Sequence, residues 1–122
     1  AFADTVARLL VDGGIARYEN DRYYASGNAS YPWFISTLWY AEYLTARAKS
    51  EEDFAKVREI FDWVVRHALP SGVLSEQISA TDGTQRSVAP LMWSHAAYVN
   101  AVLNYLDRLE FIGICPTCNP AP

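Results

Sequence analysis

Positive charge is scarce: ten Lys and Arg against fourteen Asp and Glu leave a formal net charge of −4. A nucleic-acid footprint needs clustered basic residues, so nucleic acid is not an expected partner. Long apolar runs are missing as well. No segment approaches the roughly 18 uninterrupted apolar residues of a membrane span, and no membrane contact is expected. Cysteine is limited to Cys115 and Cys118. A tetrahedral structural zinc site needs four ligands and no second pair is present, which leaves only a half-site completed by another copy; no metal is assigned. A redox reading of Cys115-Pro116-Thr117-Cys118 would need a βαβ setting that the chain lacks, and no cofactor is implied. There is no signal-peptide pattern and the chain begins at Ala1, which reads as a processed or trimmed start and leaves the compartment unassigned.

What is present is one domain's worth of chain: 122 residues, 51% of them hydrophobic. Aromatics stand out, with eight Tyr, five Phe and four Trp. Tyr and Trp carry polar tips that need partners when buried, so they fit either an amphipathic core or a surface on which flat rings pack against pyranose faces. Four helical stretches are expected. The first runs from about Asp4 to Val11 and ends at Gly13-Gly14, a pair suited to a C-cap. Residues 14–31 read as an irregular loop, too polar and aromatic for a buried element. Pro32 suits the first turn of the second helix, and Phe34, Ile35, Leu38, Ala41, Leu44 and Ala48 share one helical face up to about Lys49.

The third helix opens with Ser50-Glu51-Glu52-Asp53, where the Ser50 hydroxyl is placed to accept from the Asp53 N–H. Phe54, Val57, Ile60, Phe61, Val64, Val65 and Ala68 form its apolar series. Arg66 and His67 suit the negative pole of its dipole, and Pro70 and Gly72 stop it. Thr81-Asp82-Gly83-Thr84 is a turn signal. The last helix is expected from Pro90 to about Glu110, with Leu91, Val99, Val102, Leu103, Leu106 and Leu109 along it. No strand of convincing length is seen, so the expected class is all-α, with long antiparallel helices and functional loops at one end.

Glu76 lies in the loop Leu69-Pro70-Ser71-Gly72-Val73-Leu74-Ser75-Glu76-Gln77. A hydrolytic base needs a carboxylate that is partly enclosed and able to hold a water, and inverting glycosidases keep base and acid roughly 6.5–9.5 Å apart. On spacing alone a single loop Glu is usually a solvated surface residue. Four blocks add to it in order: Arg17-Tyr18 with Asp21 and Tyr23-Tyr24; Pro32-Trp33-Phe34 with Thr37-Leu38; Ser75-Glu76-Gln77; and Trp93-Ser94. Over about residues 13–100 these resemble glycoside hydrolase family 15, the glucoamylase-like enzymes.

The resemblance implies a fold and a site. The fold would be part of an (α/α)6 barrel, a toroid of helical hairpins. Residues 1–110 would be the C-terminal part of the catalytic domain, and 111–122 an extended tail. Glu76 would be the general base, and Arg17 would hydrogen-bond sugar hydroxyls with its planar donor fork. Tyr18 and Trp33 would line the cleavage subsite, and Trp93 would support the base loop or the pocket wall. The substrate would be an α-linked glucoside or oligosaccharide of the starch type, hydrolysed with inversion.

The plainer readings stand beside these: Arg17 as an ion-pair partner of Glu19 or Asp21, Trp33 as a core anchor, His95 as a satisfied core histidine. Tyr31 and Asn20 depart from the family's usual Asn and Glu at the pocket rim, which bears on the substrate. The general acid of the family lies in an upstream Trp-Glu motif. Leu38-Trp39-Tyr40-Ala41-Glu42 resembles it only superficially, and Glu42 reads as an exposed helix residue. Because the two carboxyls have separate tasks, the chain alone is expected to be near-inactive. It would pair with the missing half of the barrel or with itself, since exposed apolar faces mark interfaces. A non-catalytic carbohydrate-binding module and a helical interaction module are the other readings.

Overall fold

The computed structural model describes residues 2–117. Its most regular element is the helix whose cap the sequence announces. Ser50 is extended and its side chain accepts from the Asp53 N–H, starting α3 (Glu51–His67). Three acidic residues occupy its first turn, and Arg66 and His67 its last, so both poles of the dipole meet opposite charge. Before it come α1 (Phe2–Leu9) and α2 (Phe34–Arg47), and α4 (Met92–Ile112) closes the fold.

The expected all-α class is corrected by a sheet. Five short strands, β1 (Leu10–Val11), β2 (Gly14–Ala16), β3 (Pro32–Trp33), β4 (Gln77–Ile78) and β5 (Gln85–Arg86), pair antiparallel in sequence order. The architecture is therefore mixed helix and sheet, and the toroid of helical hairpins is not what these residues form. The Gly13-Gly14 pair is not a helix C-cap. Asp12 and Gly13 both adopt positive φ, 49° and 81°, and join β1 to β2 with Val11 opposite Gly14. Two consecutive left-handed residues match the twist of a tight hairpin, and Asp-Gly is among the residue pairs that tolerate it.

The stretch expected as an unburied loop therefore begins with a buried strand, because Gly14, Ile15 and Ala16 are all inside. Gly14 has no alternative: a Cβ there would lie 2.5 Å from Trp63 Cζ2 and 2.7 Å from Pro32 Cβ. Pro32 likewise sits in a strand rather than in the first helical turn, and α2 starts after Trp33.

Strand and helix are fastened by hydroxyls. Thr37 Oγ1 accepts from the Ile15 N–H at 2.8 Å and donates to the Trp33 carbonyl at 2.7 Å. Ser36 Oγ donates to the Ile15 carbonyl at 2.6 Å. These buried polar groups on α2 complete the backbone pairing that a two-residue β3 leaves unfinished.

Helix α2 packs on both α3 and α4. One core cluster joins Phe34, Leu38, Trp63, Val64, Leu74, Ile78 and Ala101; a second joins Ala41, Ala48, Phe54, Val57, Ile60, Tyr105 and Leu109. Full burial of each large apolar side chain contributes about 1.5–3 kcal/mol, so these two clusters hold the three long helices together. On α4 the buried line is Ser94, Ala101, Tyr105 and Leu109, whereas Val99 and Leu103 face solvent. Cys118 and the remainder of the tail to residue 122 lie outside the described residues, and with them the Cys-Pro-Thr-Cys motif as a pair.

Candidate functional site

The segment carrying Glu76 is fixed along its backbone on both sides. The Glu76 N–H donates to the Val88 carbonyl at 3.1 Å, and the Glu76 carbonyl accepts from the Phe34 N–H at 3.2 Å, where α2 begins. Just before it, the Leu74 N–H donates to His95 Nε2 at 3.1 Å and the Ser75 carbonyl accepts from Ser94 Oγ at 2.7 Å. The start of α4 therefore holds the loop, through Ser94 and His95. His95 is satisfied, as its plainer reading had it, but half-buried rather than in the core. The Glu76 carboxylate is half-buried and accepts from the Ser87 hydroxyl. Ser87 has φ +65°, a left-handed conformation that a non-glycine residue keeps only where its surroundings enforce it.

Arg17 follows β2. Its guanidinium lies 4.1 Å from the Trp33 ring centroid, 4.9 Å from Tyr18 and 5.4 Å from Tyr23. Cations over aromatic faces are attracted by the ring quadrupole. The fork is turned by Asp21, which is 1% exposed: Arg17 Nε donates to Asp21 Oδ2 at 3.0 Å and Nη2 to Oδ1 at 3.2 Å. The Tyr23 N–H adds a third bond to Asp21. Burial alone would push the Asp21 carboxyl up, but the Arg17 and Tyr23 bonds outweigh it and leave it below the ordinary carboxylate range. The hydrogen bonds to Asp21 in turn raise Arg17. Arg17 Nη1 takes no part in these bonds, and Tyr18 is half exposed beside it.

Trp33 connects the two halves. It is buried, stands opposite Gln77 in the β3–β4 register, and forms the underside of Arg17. The core-anchor reading of Trp33 and its place beneath Arg17 thus hold together. Trp93 stands elsewhere: it is half exposed and meets Trp39 edge-on, ring centroids 5.9 Å apart, on the α2–α4 side. Among the described residues Glu76 and Arg17 share no hydrogen bond.

Residues 50–103 match the family model of Glycosyl hydrolases family 15. The similarity to that family covers this stretch. It supports a glycoside hydrolase and a carbohydrate substrate. Among curated proteins none matches the chain. Glu76 and Trp93 fall inside the matched stretch, while Arg17, Tyr18 and Trp33 precede it and join it through the β3–β4 pair and the Phe34–Glu76 bond. No helix among the described residues is long and apolar enough to cross a membrane.

The plainer reading of Arg17 as an ion-pair partner of Asp21 holds, at 3.0 Å. Sequence reasoning missed two other members of this surface. Ser87 gave no signal, since its contact with Glu76 depends on how residues 79–88 return past β4. Gln77, fully buried with neither side-chain polar atom bonded to protein, was read only as part of the Glu-Gln pair.

Proposed function

We propose that the surface built from Glu76, Arg17 and Tyr18, with Trp33 buried beneath Arg17, is the base side of a glucoamylase-like site for α-linked glucosides. The observation that carries this reading is Glu76, a half-buried carboxylate in the matched stretch whose backbone is bonded on both sides and whose side chain is met by Ser87. A base so held keeps a water in one place without spending substrate binding energy on ordering the loop. Glu76 takes a proton from that water as the water attacks the anomeric carbon, and configuration inverts.

Arg17 donates from Nη1 to hydroxyls of the sugar in the cleavage subsite, its other donors being taken by Asp21 and the Tyr18 hydroxyl. Tyr18 supplies a flat wall beside it. Trp93, with Trp39, forms a second aromatic wall toward α4. The leaving oxygen needs its own acid, and that carboxyl comes from polypeptide outside this chain, so 122 residues alone turn over little substrate. Met92, Val99 and Leu103, 79%, 56% and 44% exposed on α4, favour contact with that polypeptide or with a second copy.

The test is Glu76→Gln in a polypeptide that also carries the acid. Hydrolysis of maltooligosaccharide should fall about 10²–10⁴-fold; a rate within a few-fold of the parent overturns the assignment.

A further inference from the structure

Glu42 is not the plain exposed helix residue its sequence context implies. It is half-buried on α2, and Asn100 and Asn104, one turn apart on α4, both donate their Nδ2 to Glu42 Oε1, the latter at 2.9 Å. Beside this triad lies a cleft of about 270 Å³ whose lining includes Glu42, Thr45, Asn104, Arg108 and Phe111. Thr45 is 3% exposed and its Oγ1 has no hydrogen-bond partner, although a helical threonine ordinarily bonds back to a carbonyl one turn earlier. At the rim Phe111 is 80% exposed. Arg108 covers one face of that ring, 5.2 Å from its centroid, while Nε and Nη2 are tied to the Ala48 carbonyl.

We propose that this cleft is a second saccharide-binding site, separate from the surface around Glu76. The ligand class follows from the groups present. Glu42 Oε2 and Asn104 Oδ1 accept, Arg108 Nη1 donates, and Thr45 does either, a mixture matched by hydroxyls, which both donate and accept. The free face of Phe111 suits the apolar face of a pyranose. An anionic ligand would be repelled by Glu42 and Asp107, which both line the cleft, and an organic cation at Phe111 would meet the like charge of Arg108 beside the ring. Nor does the cleft fit a divalent ion, because among the described residues no group of three His, Cys, Asp or Glu is arranged to hold one. Glu42 lies nine positions beyond Trp33, roughly 14 Å along the α2 axis, so one sugar unit cannot span both sites.

The probe is maltotriose, titrated into the ¹⁵N-labelled 122-residue chain while the Asn100 and Asn104 side-chain amide signals are followed. Saturable shifts at millimolar sugar are expected. They should persist in Arg17→Ala, which removes the other surface. They should need about tenfold more sugar in Phe111→Ala, the equivalent of 1.4 kcal/mol; at 80% exposure this ring is removed without opening the core. Absence of saturable shifts, loss of them in Arg17→Ala, or indifference to Phe111→Ala would each overturn the site. Failure of the Glu76 reading would instead leave these amide shifts in place while maltotriose leaves the Tyr18 and Trp33 signals unmoved.

Discussion

Replacing Asp21 with Asn isolates the device that aims Arg17. The side chain keeps its volume in a site only 1% exposed, but it loses its charge and one of two acceptor oxygens. Wild-type Asp21 accepts from Arg17 Nε, Arg17 Nη2 and the Tyr23 N–H at 3.0, 3.2 and 3.1 Å. Hydrogen bonds to charged groups are worth about 1.5–3 kcal/mol each, and a donor left without its partner costs most where water cannot reach it. Arg17 is 37% exposed, so water takes over part of what Asp21 gave it, and its share belongs near the low end. The amide retains one acceptor for Tyr23 or Arg17. The net expectation is a loss of about 2 kcal/mol in denaturant unfolding. For a chain of this size that is roughly an 8 °C fall in melting temperature. The same change should weaken maltotriose binding at Tyr18 and Trp33 by about tenfold, because Arg17 is no longer held flat over Trp33. A stability change within about 0.5 kcal/mol, the range of ordinary surface substitutions, would refute the positioning argument.

Two further outcomes follow from the same contacts. Lowering the pH should erase the difference between wild type and Asp21→Asn. A carboxyl depressed in the folded state contributes fully above its unfolded value of about 3.9 and loses that contribution as pH falls through the folded value. Parallel urea titrations should thus show a constant gap above about pH 5 that narrows steadily below about pH 4. Gly14→Ala should cost about 1–3 kcal/mol by overpacking, since the new methyl meets Trp63 and Pro32 at under 3 Å; unfolding curves that superimpose on wild type would mean the β1–β2 hairpin is free to move off α3.

How much of the protein could be read in advance depended on range. The α3 boundaries and the Ser50 cap were legible because a cap and a 3.6-residue period are local properties, repeated over seventeen residues. The strands were not, since two or three residues carry no period, and the sheet exists only because residues far apart in sequence meet. The hairpin was half legible: Asp12-Gly13 is a turn signal, but without flanking alternation the helix C-cap reading competed with it. In the site, the blocks holding Arg17, Trp33, Glu76 and Trp93 were visible as residue types in order. Chain order does not say which of them converge, and Trp93 lies with Trp39 rather than over Arg17.

The sequence by itself determined the helical scaffold, the absence of a basic footprint and the kinds of side chain available to a candidate site, all of which follow from composition and local spacing. Tertiary structure alone decided that Asp21 takes most of the Arg17 fork, that Ser87 reaches Glu76, and that Asn100 and Asn104 close on Glu42. The Glu42 contacts join residues 58 and 62 positions apart. Such pairs form only once the packing of α2 on α4 has met the entropy cost of bringing distant segments together.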